Sequence, residues 1–167
     1  MRKVIFVAAV LLAMVCVFFI SRRPFLIVSS ISDPKEKLVF PLDDGEFSVC
    51  YTHSVNKGRV RDFYCRKGKN LIIYKTQFVS YGAGMPEIQE TPGAEFFVED
   101  NVYTMKYTRS VGTQMLLAVG VVAEHSIIAG GKEYFLKDYF PAQTRLVFKV
   151  SKKLPIKTGG LINAEQQ

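Results

Sequence analysis

The side chains best suited to chemistry in this chain are a histidine and a serine that are neighbours in sequence. Residues 51–55 read Tyr-Thr-His-Ser-Val, so His53 and Ser54 interrupt a stretch with the alternation of a β-strand. A histidine can act as the base for a serine nucleophile. Neighbours on a strand point to opposite faces, however, and the chain has no Gly-x-Ser-x-Gly turn. The pair therefore indicates a binding or structural role, and we expect no enzyme.

The second candidate site is a loop over residues 80–94, which holds three glycines and two prolines. Loops of this length are usually functional or disordered. An aromatic ring and a flexible methionine suit a protein contact, whereas the alternative is a sheet corner that needs glycine. The Gly-Ala-Gly sequence at 82–84 is not followed by the lysine of a P-loop or by the third glycine of a dinucleotide-binding motif. The contact residues predicted on it are Tyr81, Gly82, Gly84, Met85 and Pro86.

Metal and cofactor chemistry has little support in the sequence. The chain has two histidines, His53 and His125, and three cysteines, with no spacing typical of zinc ligands. We expect neither a metal site nor a cofactor.

The N-terminal residues indicate export. A 17-residue apolar run, residues 4–20, lies between Arg2-Lys3 and Arg22-Arg23. As a helix it would span about 25 Å, close to the hydrocarbon thickness of a bilayer. A cleaved signal peptide has a similar pattern, but the run is long, and arginines occupy the place of small cleavage-site residues. We therefore predict a membrane anchor at 1–23 and an exported main domain, which would be a secreted domain if the segment is cleaved.

The charge balance is basic, with 22 Lys and Arg against 15 Asp and Glu, a net charge of +7. An exported domain rarely meets nucleic acid, so none is expected as a partner. Anionic lipid headgroups or an acidic protein suit such a surface, and the alternative is a solvated surface with no partner.

Period-two alternation dominates the rest of the chain and predicts an all-β domain, an antiparallel β-sandwich or a small barrel. We assign 24–37 to a linker, 38–151 to the β domain and 152–167 to a flexible tail. The predicted strands include residues 47–55, 70–79, 95–99, 103–108, 114–123, 126–129, 133–136 and 145–150.

A hairpin after residue 55 would bring further groups together. A two-residue turn at Lys57-Gly58 sets His53 opposite Asp62 and Cys50 opposite Cys65. Opposed cysteines in an oxidising compartment are expected to form a disulfide, and Asp62 beside His53 would favour the imidazolium or form a structural hydrogen bond. A three-residue loop with Gly58 in a bulge would shift the register by one and separate the two cysteines.

Three motifs together resemble a bacterial domain of unknown function, number 1850. They are Tyr-Thr-His-Ser-Val at 51–55, Tyr-Gly-Ala-Gly-Met-Pro at 81–86 and Val-Gly-Val-Val-Ala-Glu-His at 119–125. The resemblance covers roughly residues 38–150. The recurring His-Ser and Gly-Ala-Gly positions of the family correspond to His53, Ser54, Gly82 and Gly84. Family strands often carry a glutamate after the hairpin turn, where this chain has Arg61-Asp62.

The resemblance also implies a function. Members are small exported or membrane-anchored proteins associated with tripartite ATP-independent periplasmic (TRAP) transporters of the TAXI type, and no catalytic residues are established. We therefore expect a single-pass inner-membrane protein with a periplasmic domain that contacts the TRAP membrane subunit or the TAXI solute-binding protein. The expected contact zone comprises His53, Ser54 and the loop 81–86. The alternative is a stand-alone periplasmic module that binds a small ligand under the same loop.

Overall fold

The structure is a computed structural model of the chain, and it describes residues 5–6, 10–12, 14, 23–42, 44–82, 84–85, 91–152 and 161–162. Within these ranges, no helix is both long enough and apolar enough to cross a membrane. The predicted anchor, 1–23, lies mostly outside the described residues, as do Pro86 and most of the predicted tail.

The regular secondary structure in the described part of the chain consists mainly of β-strands, which form two sheets. The strands are β1 Phe25–Ser30, β2 Lys37–Pro41, β3 Glu46–Thr52, β4 Arg59–Lys67, β5 Asn70–Phe78, β6 Glu95–Glu99, β7 Val102–Gly112, β8 Met115–Ala118, β9 Ser126–Ala129, β10 Lys132–Phe135, β11 Arg145–Ser151 and β12 Leu161–Ile162. A short 3-10 helix, Leu136–Asp138, follows β10.

The larger sheet has the order β10-β9-β3-β4-β5-β7-β6, and the smaller one has the order β12-β2-β1-β11-β8. All strand pairs are antiparallel except β12 with β2. The inner faces of the two sheets form the main hydrophobic core, in which Phe47 of β3 stacks on Phe148 of β11 with ring centroids 6.4 Å apart. A smaller cluster is formed by Val60, Phe78 and Met85. This open sandwich confirms the predicted all-β class.

Alternating burial explains why the small sheet forms. Along β1, Leu26, Val28 and Ser30 are buried while the residues between them are partly exposed. Period-two burial of this kind is what a strand with one face on the core requires. Residues 24–37, however, are not the predicted linker. Strand β1 pairs with β2 on one side and with β11 on the other, so residues 25–30 form the centre of the sheet.

The predicted strands 95–99 and 126–129 match β6 and β9, whereas the predicted strand 114–123 is shortened. Strand β8 ends at Ala118 because its ladder with β11 becomes irregular at the next pair, where the Thr144 N–H donates to the Pro141 carbonyl at 3.2 Å instead of to Val119. The Val119 N–H donates to the Thr144 carbonyl at 2.9 Å, and the Gln143 N–H donates to the Val119 carbonyl at 2.8 Å. Residues 119–125 therefore leave the sheet as a loop.

The predicted hairpin register is wrong by four residues. Cys50 lies opposite Arg61, Cys65 lies opposite Glu46, and Asp62 lies opposite Val49. The connection between β3 and β4 has six residues, 53–58, instead of two or three. Because the shift is an even number, each side chain stays on its predicted face while its cross-strand partner changes.

The predicted disulfide between Cys50 and Cys65 is also wrong, because the observed register separates the two cysteines. Cys50 is buried and free, and Cys65 is partly exposed and free. Four residues of strand separate their cross-strand positions, about 13 Å at 3.3 Å per residue. A disulfide spans at most about 7 Å between Cα atoms, so these two cysteines cannot form one in this fold.

Candidate functional site

The candidate site is built on the hairpin loop, which we define as residues 53–58. The loop is closed by the His53 N–H, which donates to the Gly58 carbonyl at 2.9 Å, and by the Lys57 N–H, which donates to the His53 carbonyl at 3.1 Å. The Val55 N–H donates to Nδ1 of His53 at 3.3 Å. Because Nδ1 accepts a hydrogen bond, the proton of the neutral imidazole lies on Nε2.

Asn56 links the hairpin loop to the glycine loop, which we define as residues 79–82 with Gly84 and Met85. Its amide nitrogen donates to the Ser80 carbonyl at 2.9 Å, and its amide oxygen accepts the Gly58 N–H at 3.1 Å. Gly58 is required for this approach, because a Cβ added there would lie 2.7 Å from Cβ of Ser80.

Gly84 brings the glycine loop against His53. A turn is closed by the Met85 N–H, which donates to the Gly82 carbonyl at 3.1 Å. Gly84 has a φ of +84°, and a Cβ on it would stand 3.2 Å from Nε2 of His53. Only glycine adopts this backbone conformation without strain while leaving room for the imidazole.

A third segment, the valine loop of residues 119–125, completes the site. The Thr52 N–H donates to the Ala123 carbonyl at 2.6 Å, which joins this loop to the end of β3. Within the loop, the Gly120 N–H donates to Nδ1 of His125 at 3.0 Å. Burial lowers the pKa of His125, and the nearby Arg59 cation lowers it further. His125 is therefore a neutral, structural histidine.

Arg59 fixes the valine loop to the large sheet. Its guanidinium donates to the Glu124 carbonyl at 2.9 Å, to the Ser126 hydroxyl at 2.7 Å and to the Glu133 carboxylate at 2.7 Å. Ser126 also bonds Glu133, and this hydrogen bond, with that of Arg59, keeps the pKa of Glu133 below its usual value. The loop is thus held by several charge-assisted bonds.

A cavity of about 210 Å³ lies between the hairpin loop and the valine loop. Lys57 lines this cavity, and its ammonium donates to the Ser54 carbonyl at 2.6 Å. The volume suits a ligand of a few heavy atoms, below the range typical of drug-sized ligands. The lining residues are Thr52, His53, Ser54, Lys57, Val122 and Ala123.

The same three loops expose apolar side chains. Val121 and Val122 are each 70% exposed. Tyr81 is 50% exposed, although its ring packs against that of Phe78 with ring centroids 5.9 Å apart. Val55 and Val79 are also exposed. Single exposed apolar residues are common, but several on adjoining loops indicate an interaction surface. Met85, expected in this surface, is instead buried against Val60 and Phe78.

The structure thus brings His53, Ser54 and Gly84 together, with Tyr81 and Gly82 in the adjoining loop, and it does not bring Asp62 to them. Asp62 lies on the inner face of the large sheet and accepts a hydrogen bond of 2.7 Å from Thr76, whose hydroxyl also bonds Tyr107 at 2.8 Å. Burial raises the pKa of Asp62. Its partner is therefore a threonine, and the predicted contact with His53 is absent.

Sequence reasoning missed several residues that shape the site. The sequence prediction gives Asn56 no role, places Lys57 only in a turn, and places Val122 and Ala123 in the predicted strand 114–123. Val122 and Ala123 could have been found from the third family motif, residues 119–125, because the first two motifs contain the other predicted site residues. Ser80 contributes only its carbonyl, which no side-chain pattern can indicate.

The fold and these loops define an all-β sandwich domain whose candidate site is formed by three connecting loops. A family model described as Domain of unknown function (DUF1850) matches residues 47–136, which is more than half of the chain and includes all three loops. The chain belongs to this family. No curated protein and no solved structure shows detectable similarity to it.

Replacing Gly84 with alanine tests the contact with His53. Gly84→Ala combines an unfavourable positive φ with the approach to Nε2, and we expect it to lower the free energy of unfolding by about 2–3 kcal/mol. Gly68→Ala is the matched control, since Gly68 has a φ of +63° and no atom within 4 Å of an added Cβ. Its expected cost is about 1 kcal/mol. If urea unfolding gives the same decrease in the free energy of unfolding for Gly84→Ala and Gly68→Ala, the packing of Gly84 on His53 is contradicted.

His125 predicts a pH dependence of stability. Its pKa is lower in the folded chain than in the unfolded chain, so its contribution is complete above about pH 6.5 and is lost as the pH falls through the folded-state value. His125→Asn keeps an acceptor for the Gly120 N–H but does not titrate. Urea unfolding between about pH 7.5 and 4.5 should show a steeper decline for the native chain than for the variant. Parallel curves would refute the assignment.

Proposed function

We propose that this protein is a membrane-anchored periplasmic accessory component of a TAXI-type TRAP solute transporter and that it acts by protein–protein contact. The observation that carries the proposal is the exposed apolar surface on the three loops, formed by Val55, Val79, Tyr81, Val121 and Val122. We define these five residues as the apolar surface. Burial of these exposed apolar side chains by a partner protein is favourable because it removes apolar surface from water.

Membership in the family supports the choice of partner through the resemblance described above, since its members are associated with such transporters. Four of the five residues of the apolar surface lie on the segments that carry the family motifs, 51–55, 81–86 and 119–125, and Val79 lies two residues before the second motif. A function shared through these motifs is therefore expected to use this end of the molecule.

The proposed membrane anchor is supported by the described part of the N-terminal segment. Ile5, Phe6, Val10, Leu11, Leu12 and Met14 are helical, and each is at least 40% exposed. Apolar side chains with such exposure are favourable in lipid and unfavourable in water.

The second candidate is a stand-alone module that binds a small ligand, and the cavity of about 210 Å³ beside His53 favours it. In this case Nε2 of His53 and the Lys57 ammonium would supply the polar contacts. A ligand that occupies the cavity would raise the Tm of the purified chain with no transporter present.

Charged substitutions in the valine loop test the proposal. V121D/V122D places two carboxylates in the apolar surface without disturbing the core, because both side chains are exposed. After crosslinking in membranes, we expect the native chain to recover a TRAP subunit or the TAXI solute-binding protein, and the variant to recover at least about tenfold less, which corresponds to about 1.4 kcal/mol.

V98D/L116D is the control, because Val98 and Leu116 are also exposed but lie on the edge strands β6 and β8. This variant should recover the partner as well as the native chain does. Absence of any transporter protein from the native sample, or equal losses in the two variants, would refute the proposal.

A further inference from the structure

The directions of the strands give the sandwich two distinct ends. Strand β1 begins at Phe25, immediately after Arg23-Pro24, and pairs there with the end of β2 at Pro41 and the end of β11 at Ser151. The Leu42 N–H donates to the Pro24 carbonyl at 2.9 Å, so the connection from β2 to β3 starts at the same end. We call this end the entry pole.

The large sheet shares the entry pole. Strand β3 begins there with Glu46, which lies opposite Cys65 near the end of β4. The turn between β4 and β5 and the turn between β9 and β10 are therefore at this pole as well. The hairpin, glycine and valine loops follow the opposite ends of β3, β5 and β8, so the candidate site lies at the other end, which we call the site pole. Seven residues of β3 place the two poles about 23 Å apart.

Positive charge is concentrated at the entry pole. Among the described residues, its exposed cations are Arg23, Lys67, Lys69, Lys132 and Lys152, and its exposed carboxylates are Asp44 and Glu46. Glu46 accepts a hydrogen bond of 2.8 Å from the Tyr74 hydroxyl. Lys67, Lys69 and Lys152 form no ion pair with any other described residue.

The site pole has a different balance. Its exposed carboxylates among the described residues are Asp33, Glu36, Glu99, Asp100, Glu124 and Asp138, and its exposed cations are Lys35, Lys57, Lys137 and Arg145. Lys137 is neutralised by Glu124 at 2.8 Å. Among the described residues, the exposed charge is therefore asymmetric along the strands, with a positive excess at the entry pole and a negative excess at the site pole.

We propose that the entry pole docks on the phosphate headgroups of anionic lipids, in the membrane that holds residues 4–20, so that the site pole faces away from the bilayer. This inference rests on the membrane anchor of the proposed function. Arg23 is three residues beyond the end of the apolar run, which restricts the entry pole to within about 10 Å of the anchor's end. Lysine and arginine near a membrane surface are attracted to anionic headgroups, and their stems can remain in the interface.

The orientation limits the partner of the site. With the entry pole on the headgroups, the apolar surface lies about 23 Å above them, beyond the reach of a membrane-embedded helix. The partner surface is therefore extramembranous, as on a soluble solute-binding protein or on a projecting loop of a permease.

Hydrogen exchange of the full chain in lipid nanodiscs tests the docking. We expect the amides of residues 66–70 to exchange at least about threefold more slowly in discs containing roughly a third phosphatidylglycerol than in pure phosphatidylcholine discs. The difference should disappear at about 0.5 M NaCl, where electrostatic attraction is screened. K67Q/K69Q should reduce the slowing. K35Q/R145Q, which removes the same charge from the site pole, should not.

The outcomes separate the two proposals. A chain that does not remain in discs of either composition contradicts the membrane anchor. A chain that remains in both, with equal exchange at residues 66–70, overturns the docking alone and leaves the entry pole for an acidic protein. Equal effects of the two charge-matched variants would also overturn it, because the attraction would then depend on net charge and not on the entry pole.

Discussion

The arrangement of the site depends on the side chain of Asn56. The Asn56 amide oxygen accepts a hydrogen bond from the Gly58 N–H, which stabilises the hairpin loop. The Asn56 amide nitrogen donates to the Ser80 carbonyl, which attaches the hairpin loop to the glycine loop. An amide with its oxygen and nitrogen both used is costly to replace, because backbone groups would lose their partners. With the loop held at six residues, β3 and β4 pair in one register.

This register determines what the domain can present. It places the His53 imidazole against Gly84, and it directs the Thr52 N–H to the valine loop. It also separates Cys50 from Cys65, so their free state follows from the geometry of the strands and says nothing about the compartment. The three loops then carry the apolar surface at the site pole. Lys67, Lys69 and Lys152, which form no ion pair with any other described residue, lie at the entry pole.

Much of the fold could be predicted from alternation and turn residues, as β6 and β9 show, because short strands between clear turns have few alternatives. Strand β1 could not, since its apolar residues directly follow the apolar N-terminal run and only pairing with β2 and β11 distinguishes them. The predicted register of the β3–β4 hairpin is wrong for another reason. Lys57-Gly58 is a strong turn signal, but His53 and Asn56 bond nearby backbone groups and so favour a longer loop. Propensity for a tight turn cannot include such side-chain bonds.

The six-residue hairpin loop brings His53 against Gly84 and sets the register of β3 and β4. A nuclear Overhauser spectrum of the labelled chain tests both parts directly. We expect a cross-peak between Hε1 of His53 and Hα of Gly84, together with cross-strand contacts between Cys50 and Arg61. A contact between Cys50 and Cys65, with none between His53 and Gly84, would contradict this arrangement.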